Sequence, residues 1–222
     1  MGDPLMEEKK LDEVVITKEK VIFVEGMDEV NFFYALLKKM EMGDDYQVID
    51  YKGKSRMSDF ISMMSKTESF NENAISVAVI RDADNNYDFV AEQIKDALKR
   101  IFNVINLEHG VMKSEKDINI GFYIMPGLKK NGELEDLVLS SLDGNEIFKE
   151  VNNYLDVLKG MTSPVNNGSK FCYPRKESKA KLQIYFSSMK ESDTRMGLSA
   201  QRNYVDFTHD SFKEIIDFIR SM

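Results

Sequence analysis

The stretch Ala74-Ile75-Ser76-Val77-Ala78-Val79-Ile80 limits the possible folds of this chain more than any other part of it. It is almost continuously apolar and rich in β-branched residues. It is also far too short to cross a bilayer, which takes about 18–20 apolar residues. Such a run suits a strand buried on both faces, and strands of that kind belong to parallel sheets covered by helices on each side. It ends in Arg81-Asp82-Ala83-Asp84, with the turn residues Asn85-Asn86 behind. A second apolar run, Val21–Val24, leads into Glu25-Gly26. A helical pattern over 28–41 follows, with Val30, Phe33, Leu36, Leu37 and Met40 at helical spacing.

The remaining segments repeat this alternation. Tyr46–Tyr51 predicts a strand, followed by Gly53-Lys54-Ser55 and an amphipathic helix near 56–66. A long helix near 87–105 carries Phe89, Val90, Ile94, Leu98, Ile101 and Phe102 at helical spacing. Ile118–Met125 predicts the fourth strand, and Gly132–Leu139 opens a helix with an acidic first turn. Further helices are expected over 145–159, over 176–188 and around Phe212, Ile215, Ile216 and Ile219. Residues 161–174 read as a loop, 191–203 as a mobile polar loop, and 1–18 as an N-terminal arm that is either loose or a short edge element. Strands alternating with helices through residue 140 make βαβ units. The expected architecture is α/β, a mainly parallel four-stranded sheet flanked by helices. Residues 19–222 form one domain, with a core over 20–142 and a helical C-terminal extension over 143–222 packed on it.

Composition narrows the function classes. A net charge of −8 excludes a uniformly basic nucleic-acid surface and leaves room for a local basic groove. The single Cys172 excludes an intramolecular disulfide framework and any multi-cysteine metal site. His109 and His209 have no metal-ligating companion at short spacing, so zinc is not expected. No apolar run approaches membrane length, and the charged first twenty residues lack a signal-peptide core. A cytoplasmic protein without a membrane partner is the expectation.

In a parallel sheet all strands present their C-terminal ends on one edge, where open α/β sheets bind ligands. Glu25 follows the first strand, Asp82 and Asp84 the third, and Glu133, Glu135 and Asp136 the fourth after a short loop. Like charges gathered in one place are costly unless a cation neutralises them. Hard oxygen donors select Mg²⁺, Mn²⁺ or Ca²⁺. Asp82 and Asp84 are two apart, so an extended exit from the strand would aim both at the same side. Glu29 can stand one helical turn above Glu25. Each acid also has a plainer reading: Asp82 and Asp84 as helix caps, Glu29 on a solvated face, and Glu133, Glu135 and Asp136 as partners of a helix dipole. The basic patch Lys52-Gly53-Lys54-Ser55-Arg56 belongs to the same edge, and Lys52, Lys54 and Arg56 are candidates for contact with nucleic-acid phosphates.

This ordered set resembles the Toprim domain of topoisomerases, primases and OLD-type nucleases. It is closer still to small stand-alone Toprim-like proteins of the DUF3226 kind, over residues 20–220. The shared residues are Glu25-Gly26-x-Asp28-Glu29, Asp82-Ala83-Asp84, Gly132-x-Leu134-Glu135-Asp136-Leu137 and Lys179-Ala180. The resemblance implies a metal-dependent nuclease. Glu25 would be a metal ligand or general acid/base, Asp82 and Asp84 would hold the metal, and Glu29 and Glu135 would complete a second site. Lys179 would offset charge on the phosphate, with Lys176 and Lys181 as neighbouring alternatives. It further implies Mg²⁺ or Mn²⁺ as cofactor, DNA or RNA as partner, and a setting in prokaryotic defence or nucleic-acid processing. A protein partner and a homodimer are further expectations. The chain lacks the ATPase domain that accompanies OLD nucleases and has no G-x-x-x-x-G-K-[ST] motif. Two other readings compete: a receiver-like Mg²⁺-binding signalling domain, and a non-catalytic nucleic-acid-associated protein with a residual metal site.

Overall fold

The computed structural model describes residues 14–161 and 171–222. The four expected strands form as Lys20–Val24 (β1), Tyr46–Asp50 (β2), Ser76–Asp82 (β3) and Ile118–Met125, which is β5 because a short strand, Lys113–Glu115 (β4), precedes it. The described residues therefore build a five-stranded sheet in the order β2-β1-β3-β5-β4, a correction to the four-stranded expectation. The β2-β1, β1-β3 and β3-β5 pairs are parallel, and β4 is antiparallel at the edge. Three residues, Lys-Ser-Glu, are too few and too polar to announce a strand by periodicity. β3 lies at the centre with all seven residues buried, as its continuous apolar run requires.

Side chains along the strands alternate between two cores. Val21, Phe23, Val77, Val79, Phe122 and Ile124 face one side, covered by Met57–Met64 (α2), Glu68–Asn73 (α3) and Tyr87–Phe102 (α4). Ile22, Val24, Ala78, Ile80, Tyr123 and Met125 face the other. That face is covered by Met27–Lys39 (α1), Leu134–Ser140 (α5), Glu146–Lys159 (α6), Glu177–Ser187 (α7), Met196–Gln201 (α8) and Lys213–Arg220 (α9). The C-terminal third thus supplies most of one helical layer. Full burial of each Val or Ile on the strands contributes about 1.5–3 kcal/mol. Helix ends follow local signals: Asn86 accepts from the Phe89 N–H to cap α4, and Asn103 closes that helix at φ 59°.

Several expectations change. Val15 to Thr17 do not belong to a loose arm. Ile16 is buried, Gln47 Nε2 donates to the Val15 carbonyl, and the Thr17 N–H donates to Gln47 Oε1. The rest of the expected arm, 1–13, and most of the expected 161–174 loop lie outside the described residues. Phe89, read as core, is exposed on α4. The helix α3 forms inside a polar stretch because Thr67 caps it and Phe70 anchors it.

The segment 191–203, expected to be a mobile loop, contains α8 packed on α1. Its small residues are what the packing needs. The Gly197 N–H donates to Asp28 Oδ1 at 2.8 Å, and a β-carbon on Gly197 would stand 2.4 Å from Asn31 Cβ and 2.6 Å from the Asp28 carbonyl oxygen. Neither neighbour is the tip of a flexible side chain, so a methyl group must push the helices apart. Gly197→Ala is expected to destabilise the protein by about 2 kcal/mol in urea unfolding, the usual scale for overpacking. An unchanged midpoint would show that α8 is not held this tightly.

Candidate metal centre at the acidic sheet edge

Parallel pairing brings the strand ends into line, with Val24 opposite Asp50 and Asp82 opposite Met125. Glu25 leaves β1 and is followed by Gly26, whose carbonyl receives the Val30 N–H as α1 begins. The backbone at Gly26 is extended, at φ −155°, so no unusual torsion calls for glycine there. Close approach does not either: a β-carbon at Gly26 would lie 3.1 Å from Glu29 Oε2, the mobile end of a side chain that can give way. The Glu29 carboxylate folds back over the turn, where the charge of Glu25 adds to the rise of its pKa. Asp82, the last residue of the central strand, is 9% exposed, and its Oδ1 accepts from the Leu134 N–H at 2.9 Å. That bond ties the start of α5 to β3 and brings Glu135 to the edge.

Asp84 departs from the expected extended exit. It sits in the left-handed region at φ 50° and exchanges both backbone hydrogen bonds with Gly132, at 2.8 and 2.7 Å. Its carboxylate pairs with the Lys54 ammonium, 2.6 Å from Nζ to Oδ1. Asp82 and Asp84 thus serve different parts of the edge, an inner one and an outer one.

Electrostatics group the inner acids. Burial pushes the Asp82 carboxyl well above its ordinary range, and the charges of Glu29, Glu135 and Glu25 push it further. Glu29 is raised by burial, then by Glu25, Asp28 and Glu135. Burial also raises Glu135, opposed in part by Lys179 and Lys176. Glu25 is raised by burial against the pull of Lys54 and Arg81, with Asp84 adding to the rise. Four carboxyl groups from three chain segments are therefore raised by burial, and the charges of Glu25 and Glu135 hinder ionisation of both Glu29 and Asp82.

The donor set is all oxygen, and the buried polar atoms left without hydrogen-bond partners here include Glu25 Oε2, the Tyr51 hydroxyl and Arg81 Nε. Tyr51 is fully buried just past β2, and its phenol is raised by burial and then by Glu25, with Asp82 and Glu29 adding to the rise. Oxygen donors, mutual repulsion and an unpartnered carboxylate oxygen fit a hard divalent cation. Among the described residues no three His, Cys, Asp or Glu side chains are grouped so that they could hold a metal ion as they stand. The Lys54 ammonium lies on the outer Asp84, 4.0 Å from Glu25 Oε2. A concavity of about 700 Å³ lies elsewhere, between the C-terminal half of α1 and α8, lined by Tyr34, Lys38, Gln201 and Asn203. It holds none of the acids, and the chemistry of the edge outweighs its size.

The other expected residues separate clearly. Glu133 pairs with Lys176, while Asp136 accepts from the Glu133 N–H and from Ser178 Oγ. Asp136 is thus part of a capping box at the start of α5, where a helix-dipole partner was the plainer reading. Lys181 pairs with Glu177 at 2.9 Å, leaving Lys176 and Lys179 as the lysines whose charge reaches Glu135. Lys52 pairs with Asp50, and Arg56 is exposed at the end of the 3-10 turn Lys54–Arg56. Neither histidine joins the acids. His109 packs among Tyr87, Phe122 and Tyr123, where burial lowers it to about 4, and His209 accepts from the Ser211 N–H.

Three residues escaped sequence reasoning. Arg81 is a buried cation whose Nη1 donates to Gln93 Oε1 at 3.0 Å and whose charge offsets Glu25. Its signal was an arginine inside an otherwise apolar central strand. Tyr51 carried no signal beyond its place at a strand end. Asp28 looked like one more acid of the edge but anchors α8.

Among the described residues no helix is long and apolar enough to cross a membrane. Comparison with curated proteins finds no match. Among solved structures, the fold is similar to the C-terminal region of the Xanthomonas campestris pv. campestris OLD protein. That match has a TM-score of 0.49 and 15% identity, and covers 91% of this chain and 92% of that one. It is also similar to the C-terminal region of the Burkholderia pseudomallei OLD protein, with a TM-score of 0.45, 10% identity, and 92% and 98% covered. The family model described as "Protein of unknown function (DUF3226)" matches residues 19–222, and the chain belongs to that family.

Proposed function

We propose that this protein is a Mg²⁺- or Mn²⁺-dependent phosphodiesterase that cleaves DNA or RNA at the acidic sheet edge. One observation carries the reading: burial holds the carboxyl groups of Glu25, Glu29, Asp82 and Glu135 above their ordinary pKa, and the charges of Glu25 and Glu135 act on both Glu29 and Asp82. The ordered acid set that resembles Toprim domains supports it, as does the buried Oε2 of Glu25, which lacks a hydrogen-bond donor.

In this reading Glu25, Glu29, Asp82, Asp84 and Glu135 hold the cation. A bound Mg²⁺ or Mn²⁺ supplies Lewis acidity toward phosphoryl oxygens and activates water. Asp82 keeps Oδ1 on the Leu134 N–H, which fixes its carboxylate plane and leaves Oδ2 to face the site. Glu25 is either one of the metal ligands or the general acid/base, its carboxyl raised above the ordinary range by burial. Lys179 and Lys176, next to Glu135, offset charge on the phosphate. Lys52, Lys54 and Arg56 contact the nucleic-acid backbone, a local basic patch on a chain of net charge −8. Prokaryotic defence or nucleic-acid processing is the proposed setting.

Purified protein with Mn²⁺ or Mg²⁺ is expected to cleave plasmid DNA or RNA, to stop on addition of a chelator, and to lose about a hundredfold in rate as Glu25→Gln. Wild-type rates in that variant would sink the reading. Incubation with a small phosphodonor tests the receiver-like alternative, because a stable acyl-phosphate on Asp82 or Asp84 would favour a switch. The burial of Asp82 and its bond to Leu134 speak against it.

A further inference from the structure

The connection from β2 to α2 is built to place one ammonium group. Lys52 and Gly53 both have positive φ, 66° and 101°, which turns the chain sharply after Tyr51. The left-handed Lys52 is held by Asp50, whose Oδ1 accepts from its N–H and whose Oδ2 takes its ammonium at 3.0 Å. The Gly53 N–H donates to the Glu25 carbonyl at 3.0 Å, fastening the turn to the strand end that carries the first acid. Lys54 comes next. Its Nζ touches both Asp84 oxygens, 2.6 Å from Oδ1, and stands 4.0 Å from Glu25 Oε2. Its side chain is 38% exposed.

We infer that Lys54 is a resident counter-cation of the site: its ammonium neutralises Glu25 and Asp84, yields those oxygens to a divalent cation, and turns outward to a phosphate of the nucleic acid. This rests on the metal-dependent reading above and adds a competition to it. An ammonium and a divalent cation on the same two carboxylates oppose each other, because like charges about 4 Å apart repel. The turn is fixed by its backbone bond to Glu25, so the motion belongs to the side chain alone. A four-carbon stem with a solvated head allows it. The fully buried, unpartnered Tyr51 hydroxyl, three residues earlier and under the influence of Glu25, Asp82 and Glu29, independently marks these acids as a ligand site.

Competition has a sign that other roles lack. A lysine that reaches only phosphate, away from these oxygens, leaves metal affinity nearly unchanged without nucleic acid, and one that props up the ligands weakens it on removal. The test is Mn²⁺ titration of the full chain without nucleic acid, with free Mn²⁺ followed by electron paramagnetic resonance. Lys54→Met and Lys54→Gln should both bind Mn²⁺ about tenfold tighter than wild type, while Lys54→Arg stays within about threefold of it. Cleavage in excess Mn²⁺ should fall in Lys54→Met, since the outward cation is gone. Unchanged or weaker Mn²⁺ binding in Lys54→Met and Lys54→Gln, with wild type binding Mn²⁺ and cleaving, would overturn the competition and leave the metal-dependent reading standing. Wild type that neither binds Mn²⁺ nor cleaves would overturn both.

Discussion

Asp82→Asn should cut metal-dependent cleavage by about a thousandfold and, in chelator at pH 8, raise the melting temperature by roughly 3–6 °C. Both effects come from one charge. Asparagine keeps the Oδ1 acceptor that the Leu134 N–H requires, so α5 stays tied to β3. It removes a carboxylate that burial, then Glu29, Glu135 and Glu25, make costly to ionise. The sign of the pH dependence follows. A carboxyl group with a raised native pKa binds more protons folded than unfolded. Its favourable contribution is complete below the ordinary carboxylate pKa of about 4 and is lost as pH rises through the raised native value. Glu25, Glu29 and Glu135 are raised for the same first reason, so the wild type in chelator should lose stability from about pH 4 toward neutrality. The Asn variant should lose less over that interval. Added Mn²⁺ should restore the wild type and do little for the variant. Thermal melts at pH 5 and pH 8, with chelator or Mn²⁺, measure all of this. A variant less stable than wild type at pH 8 in chelator would mean that Asp82 acts chiefly as a hydrogen-bond acceptor.

The strand ends were legible in the sequence because a parallel sheet forces them onto one edge, whatever the details of packing. Glu25 and Asp82 reached the edge for that reason, while Glu135 needed the bond from the Leu134 N–H to Asp82 and Glu29 the turn at Gly26. The C-terminal helices were legible as amphipathic patterns, but their location over one face of the sheet was not, since periodicity gives a buried stripe and no partner. Asp84 shows where local reasoning stops. Nothing in Asp82-Ala83-Asp84 announces a left-handed residue, because what holds it there is a pair of hydrogen bonds to Gly132, 48 residues away by sequence number.

Tyr51, Arg81 and Asp28 failed to declare themselves for related reasons. Each has a common local reading, respectively strand-end aromatic, edge cation and first-turn acid. Each takes its role from a neighbour distant in sequence: Glu25 for Tyr51 and Arg81, and Gly197 for Asp28. Lys54 was readable as a cation near phosphate, while its present contact with Asp84 depends on the Lys52-Gly53 turn and its fastening to Glu25. What sequence conveys here is the inventory of the edge. The division into inner acids and an outer ion pair needs the backbone.

Gly132→Ala should lower stability by about 3–4 kcal/mol, or roughly 8–12 °C in melting temperature for a chain of this length, and should disable the site with it. Gly132 has φ 137°, a conformation that costs an L-residue about 1–3 kcal/mol. Its β-carbon would also stand 2.6 Å from Asp136 Oδ2 and 3.1 Å from Pro126 Cδ. The Asp136 carboxylate has nowhere easy to go, because Oδ2 accepts from the Glu133 N–H at 2.8 Å and Oδ1 is engaged by Ser178. Moving it would lose a helix cap, worth about another 1 kcal/mol. The alternative relaxation moves the backbone, and that breaks the paired hydrogen bonds between Gly132 and Asp84. Either way α5 and Asp84 shift relative to each other, and with them Glu135 and the Lys54 contact. Urea unfolding measures the first effect, and Mn²⁺ affinity at a temperature where the variant remains folded measures the second. If Gly132→Ala melts within about 2 °C of wild type, the bridge between the β3 exit and the start of α5 is not what holds the two halves of the edge in place.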